Sequence, residues 1–149
     1  MKLFLVRHGD YVSADPAHPL SLKGVQDIEN IGGYLKNDGV HVSQIWHSPK
    51  SRAVQTANII NDILNGGEKK ERQDLLPNAH PQQVIEDLQS QEHDVLIVSH
   101  LPFIPRLVLR LLQQEDGQLF LFPMASVARL DFSKPAWLLE EIITPDFFR

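Results

Sequence analysis

A chain of 149 residues is long enough to bury a core and is expected to form a single domain, 1–149. Its hydrophobic fraction of 42% and charged fraction of 22% are ordinary for a globular protein, and a net charge of -5 argues against nucleic-acid binding through the overall field. The absence of cysteine excludes disulfides, thiolate zinc sites and cysteine nucleophiles.

The first apolar run stops at Arg7, too short for a signal-peptide core, and no stretch approaches the ~20 apolar residues of a membrane span. The expectation is a soluble cytoplasmic protein that contacts no membrane. The run itself, KLFLV (residues 2–6), does not alternate, which predicts a strand buried on both faces. A helix follows from a Ser21 cap to a stop at Gly39, with Leu22, Val25, Ile28, Ile31 and Leu35 at three- and four-residue steps. The Gly32-Gly33 pair weakens it. VSQIWHS (42–48) reads as a short strand. Ser48 as cap and Pro49 at the first helical position then open a second helix, striped by Ala53, Ala57, Ile60 and Leu64 and closed by Gly66-Gly67.

RQDLL (72–76) is expected to be a further strand, and residues 81–91 a third helix. DVLIVS (94–99) is a second fully apolar strand, followed by a fourth helix over 102–114 that tolerates Pro105 only in its first turn. After Gly117 the pattern changes to two strand-like runs, 126–132 and 136–143, joined by Ser-Lys-Pro as a hairpin. The sum is an α/β fold, a mostly parallel sheet flanked by helices with an antiparallel C-terminal addition.

Parallel strands share a C-terminal edge, where open α/β sheets bind ligands. Arg7 and His8 end the first strand, Arg52 lies in the first turn of the second helix, and His100 ends the strand 94–99. Three strand ends thus send guanidinium or imidazole groups to one crevice of an acidic protein. That convergence predicts a site for phosphate or another oxyanion. No metal or other cofactor is expected. None of the seven histidines stand at the i, i+4 spacing of a helical zinc motif, and no phosphate-binding P-loop, nucleophile elbow or dinucleotide fingerprint is present.

The motifs RHG after the first strand, SPxxRAxQTA at the second helix and SHLP after a later strand resemble the histidine phosphatase superfamily. Their order, with PL at 19–20 and LPxxxP at 76–81, is similar to that of SixA-type phosphohistidine phosphatases, over roughly residues 2–130. The resemblance implies a three-layer phosphoglycerate mutase-like fold and a phosphatase acting on a phosphohistidine-containing protein, such as a phosphotransfer domain or phosphocarrier. It makes His8 the nucleophile of a phosphohistidine intermediate, with Arg7, Arg52 and His100 binding and stabilising the phosphoryl oxygens. A protonated His100 would be a further donor.

His18 stands where that pattern more often carries an arginine, and is a candidate substrate contact. Asn78 and His80 occupy the loop where larger relatives place an acidic proton donor, and are also candidates for substrate binding. Asp10 is open between shaping the loop and orienting a basic neighbour. His41, His47 and His93 read as structural or exposed, and Phe147-Phe148 as a packed or frayed terminus. Two other functions remain open: a phosphatase for a small phosphoester, with His80 or an unrecognised carboxylate as acid, and an inactive phosphoprotein-binding module. The missing acid favours phosphohistidine, because an alkoxide needs a proton to leave whereas an imidazole leaves with a pKa near neutrality.

Overall fold

Strand β1 (Lys2–Arg7) pairs in parallel with β4 (Val95–Ser99), and β4 in parallel with β2 (Gln44–His47). β3 (Glu68–Glu71) adds to the outer side of β2. On the other side of β1 the antiparallel hairpin β5 (Val127–Ser133) and β6 (Ala136–Ile143) completes a six-stranded sheet of order β3-β2-β4-β1-β5-β6. These elements belong to a computed structural model describing residues 1–114 and 121–149; Gly117, where the sequence pattern changes, lies outside the described residues. Among the described residues no helix is long and apolar enough to cross a membrane.

The unbroken apolar runs are explained by burial on both faces. Leu3 and Leu5 of β1 enter one core with Val84 and Leu88 of α3 (Gln82–Gln89) and Phe103, Ile104 and Leu107 of α4 (Phe103–Leu111). Phe4 and Val6 enter the opposite core with Ile28, Ile31 and Leu35 of α1 (Leu22–Asn37) and Ala53, Ala57 and Ile60 of α2 (Ser51–Leu64). Each fully buried Leu, Ile or Phe contributes about 1.5–3 kcal/mol, so the sheet is clamped between two helical layers. The mostly parallel α/β architecture with its antiparallel C-terminal hairpin is as expected.

Several boundaries differ from expectation. Residues 72–76 are not a strand: Gln73–Leu75 form a 3₁₀ turn whose Leu75 is buried, and the extra strand is the charged stretch Glu68–Glu71. The second helix starts at Ser51 with Lys50 as its cap residue, so neither Ser48 nor Pro49 holds its predicted place. Leu22 is 91% exposed and drops out of the first helix's apolar stripe, whereas Ser21 does cap that helix, its Oγ accepting from the Gly24 N–H at 3.0 Å. Pro105 falls in the first turn of α4, as its ring requires.

Candidate active site

The strand order brings the site together. β2, β4 and β1 are neighbours with a common direction, and their registers place Arg7 opposite Ser99 and His47 opposite Val98. The residues just beyond these ends, His8, Ser48 and His100, therefore meet at one edge. Backbone bonds extend the pairing: the His8 N–H donates to the Ser99 carbonyl (3.2 Å) and the Ser48 N–H to the Val98 carbonyl (3.1 Å).

His8 is 3% exposed. Its Nδ1 lies 2.9 Å from the Gly9 carbonyl oxygen, which can only accept, so Nδ1 carries the proton and a neutral ring presents its Nε2 lone pair. Burial, then the charges of Arg52 and Arg7, push its pKa down to about 4, against the upward pull of the Gly9 bond and Asp10. The Arg52 Nε–H points at Nε2 from 3.4 Å, and the Arg52 guanidinium lies 4.8 Å over the Tyr11 ring.

The His100 ring centroid is 5.0 Å from that of His8, and its Nε2 is 2.7 Å from Ser48 Oγ. Burial, followed by His8, Arg52, Lys50 and Arg7, lowers its pKa to about 3, which holds the ring neutral in the resting protein. Arg7 donates from Nη1 to the Phe122 carbonyl at 3.0 Å. Burial is the main force drawing its pKa down, opposed by Tyr11 and assisted by Arg52. Among the described residues, Arg7 Nε and His100 Nδ1 are buried without a hydrogen-bond partner, and neither Arg7 nor Arg52 joins an ion pair. Two guanidinium groups and two unpaired buried nitrogens around a lone-pair imidazole form an arrangement suited to a compact oxyanion.

The other candidates are placed differently. His18 has a left-handed backbone (φ 49°) and packs 5.5 Å from Tyr11, which lies 5.5 Å from His8, so one aromatic ring separates the two histidines. His80 and Asn78 are exposed. His80 Nδ1 accepts from the Gln82 N–H at 3.2 Å, which ties it to the start of α3. Asp10 shapes the loop: its carboxylate accepts from Ser21 Oγ (2.6 Å) and its carbonyl from the Ser21 N–H (2.9 Å). His47 is buried, with Nδ1 3.0 Å from the Ser48 carbonyl. His41 and His93 are exposed at the opposite sheet edge, and Phe147 and Phe148 pack edge-on to Tyr34. Among the described residues no group of three His, Asp or Glu side chains could hold a metal ion.

Three supporting roles were missed. Thr56 Oγ1 accepts from the Gly9 N–H (3.1 Å) and donates to the Arg52 carbonyl (2.8 Å), fastening the loop after β1 to α2. Tyr11 lies under Arg52, and Ser48 meets His100. A polar residue beside the apolar stripe of Ala53, Ala57 and Ile60 was a legible sign for Thr56. The partners of Tyr11 and Ser48 are set by tertiary packing alone.

Comparison with known proteins bears on the family and the fold. The sequence model of the histidine phosphatase superfamily (branch 1) matches residues 3–76. Phosphohistidine phosphatase SixA of Escherichia coli (strain K12) is 30% identical over 141 residues, 89% of this chain and 88% of that protein. The solved structure of the protein histidine phosphatase SixA complexed with tungstate matches with a TM-score of 0.90 at 25% identity, over 100% of both chains. Alpha-ribazole phosphatase from Shigella flexneri shares the fold, with a TM-score of 0.77 at 16% identity over 97% of each chain. The chain belongs to the histidine phosphatase superfamily, and is a phosphatase of SixA-like sequence and fold.

Proposed function

We propose that the protein is a phosphohistidine phosphatase that takes a phosphoryl group from a histidine of a phosphotransfer protein and delivers it to water by way of His8. The observation that carries this reading is the bond between His8 Nδ1–H and the Gly9 carbonyl, which leaves Nε2 as a lone pair facing Arg52. The lone pair attacks phosphorus in line. The new N–P bond forms as the substrate's P–N bond breaks, and the substrate imidazole, protonated on its other ring nitrogen, leaves neutral. Water then attacks the phosphoryl group, the His8 N–P bond breaks, and inorganic phosphate departs. Arg7 and Arg52 bind the nonbridging oxygens through both steps, where their forked donors match the developing charge.

The substrate class rests on the leaving group. Asp10 is the acidic residue next to the motif, and its carboxylate is already engaged by Ser21. His80 is exposed and held at α3. Among the described residues the site has no dedicated acid, which suits an imidazole leaving group, whose conjugate acid has a pKa of about 6.5, and penalises an alkoxide. The names of the SixA relatives point the same way.

The test offers phosphohistidine protein, phosphoserine peptide and small alkyl phosphates side by side. A general acid is worth about 10²–10⁴ in rate, so phosphohistidine should be favoured by a factor in that range. Equal or faster turnover of the alkyl phosphates would overturn the assignment and favour a small-phosphoester enzyme with His80 as its acid.

A further inference from the structure

Ser48 is fully buried, does not cap α2, and stands between the end of β2 and the His100 ring. Its Oγ accepts from the Lys50 N–H at 3.3 Å and lies 2.7 Å from His100 Nε2. A hydroxyl has one proton to give. If His100 Nε2–H donated to Oγ, both the hydroxyl proton and the Nδ1 lone pair would be buried without a partner, each at a desolvation cost. When Ser48 Oγ–H donates to Nε2, a single group, Nδ1, is left unpaired. The His100 proton then sits on Nδ1, the nitrogen that is buried without a partner beside His8.

We propose that Ser48 is a positioning residue: its hydroxyl fixes His100 as the Nδ1–H tautomer, so that Nδ1–H donates to a phosphoryl oxygen held at His8 Nε2. A neutral imidazole has one donor nitrogen and one acceptor nitrogen, and only one orientation of the pair is useful here. The opposite tautomer turns a lone pair toward the oxyanion and repels it. Burial keeps His100 neutral in the resting protein, which is why the tautomer matters. Gly9 performs the same service for His8 through its carbonyl. The two rings are thus set in the same sense, Nδ1–H and bare Nε2, by an acceptor in one case and a donor in the other. His8 turns its bare nitrogen to the phosphorus, and His100 its proton to the oxygen.

The consequence for rate rests on the phosphoryl-transfer reading, whereas the resting tautomer does not. The experiment therefore labels the histidine rings of the full chain with nitrogen-15 and reads their protonation by long-range proton–nitrogen correlation at pH 7, without substrate. His100 should show a protonated Nδ1 and a bare Nε2. Ser48→Ala should shift His100 toward the other tautomer, leave the His8 pattern unchanged, and lower kcat by about tenfold or more, up to the ~10²–10³ typical of losing one oxyanion donor outright. Ser48→Thr, which keeps the hydroxyl, should restore both the tautomer and most of the rate. A native His100 protonated on Nε2, or a Ser48→Ala protein with unchanged tautomer and kcat, would overturn the proposal. Because the spectrum needs no substrate, a wrong substrate class would show only in the rate comparison between phosphoproteins, with the tautomer already decided.

Discussion

His8 and His100 are 3% and 1% exposed, and burial more than any single neighbour holds both rings neutral. Their folded pKa values, about 4 and about 3, lie below the ordinary 6.5 of an unfolded chain. As pH falls below 6.5 the unfolded chain takes up protons that the folded protein refuses. The contribution to stability is therefore complete above about 6.5 and is lost progressively down to the folded values, at up to ~1.4 kcal/mol per pH unit for each histidine. Urea unfolding between pH 7 and 4 should show this decline, and His8→Gln should flatten it; an equally steep decline in the variant would show that His8 is not held neutral. Arg52→Lys keeps the charge but loses the fork and the flat stack over Tyr11. It should lower kcat/KM by about 10²-fold, the scale of one missing oxyanion donor, whereas an unchanged value would show that a point charge suffices. The four central residues were legible because strand ends in a parallel sheet share an edge. Ser48, Tyr11 and Thr56 were harder to see, since each acts through a partner far away in the chain.

Helix α1 shows how an element can be chosen for closeness rather than for helix propensity. A Cβ at Gly24 would stand 2.1 Å from the Asp10 carbonyl oxygen, so the loop after His8 lies directly on the first turn of α1. At Gly32 a Cβ would stand 2.7 Å from Ile63 Cδ1, which lets α1 pack tightly on α2. Gly33 meets nothing within 4 Å. Gly24→Ala should cost about 1–3 kcal/mol or more and displace the loop, with a loss of activity, while Gly33→Ala should stabilise by roughly 0.5–1 kcal/mol. Comparing the two by chemical unfolding and kcat/KM tests this directly, and equal effects would contradict it. The Gly32-Gly33 pair read only as a weakness in sequence, because the partner across the helix interface is invisible there. β3 was missed for a related reason. Its four residues, Glu-Lys-Lys-Glu, are all exposed and carry no apolar pattern, so backbone pairing to β2 specifies it. The apolar pair Leu75-Leu76 drew the strand prediction to a turn that instead plugs the core with Leu75 and receives the Ser99 hydroxyl on its carbonyl.

Across the whole molecule, charge is allocated by task. Arg72, Arg129 and Arg149 are paired with carboxylates; among the described residues Arg7 and Arg52 carry no ion pair although they are partly buried, as the exposed Arg106 and Arg110 also carry none. A chain of net charge -5 thereby keeps a local cluster of guanidinium groups at one sheet edge. The fold class was readable because doubly buried parallel strands show as continuous apolar runs. The lateral order β2-β4-β1, which seats His100 between Ser48 and His8, depends on crossovers that the order of elements in the chain leaves open. In the proposed mechanism His8 carries the phosphoryl group during turnover. Rapid quenching of the full chain with a protein radiolabelled on phosphohistidine, followed by peptide mapping in alkali, measures it. Label should appear on His8 and decay at the turnover rate, and His8→Ala should accumulate none while keeping its fold; label on another residue, or turnover with no label at His8, would contradict it.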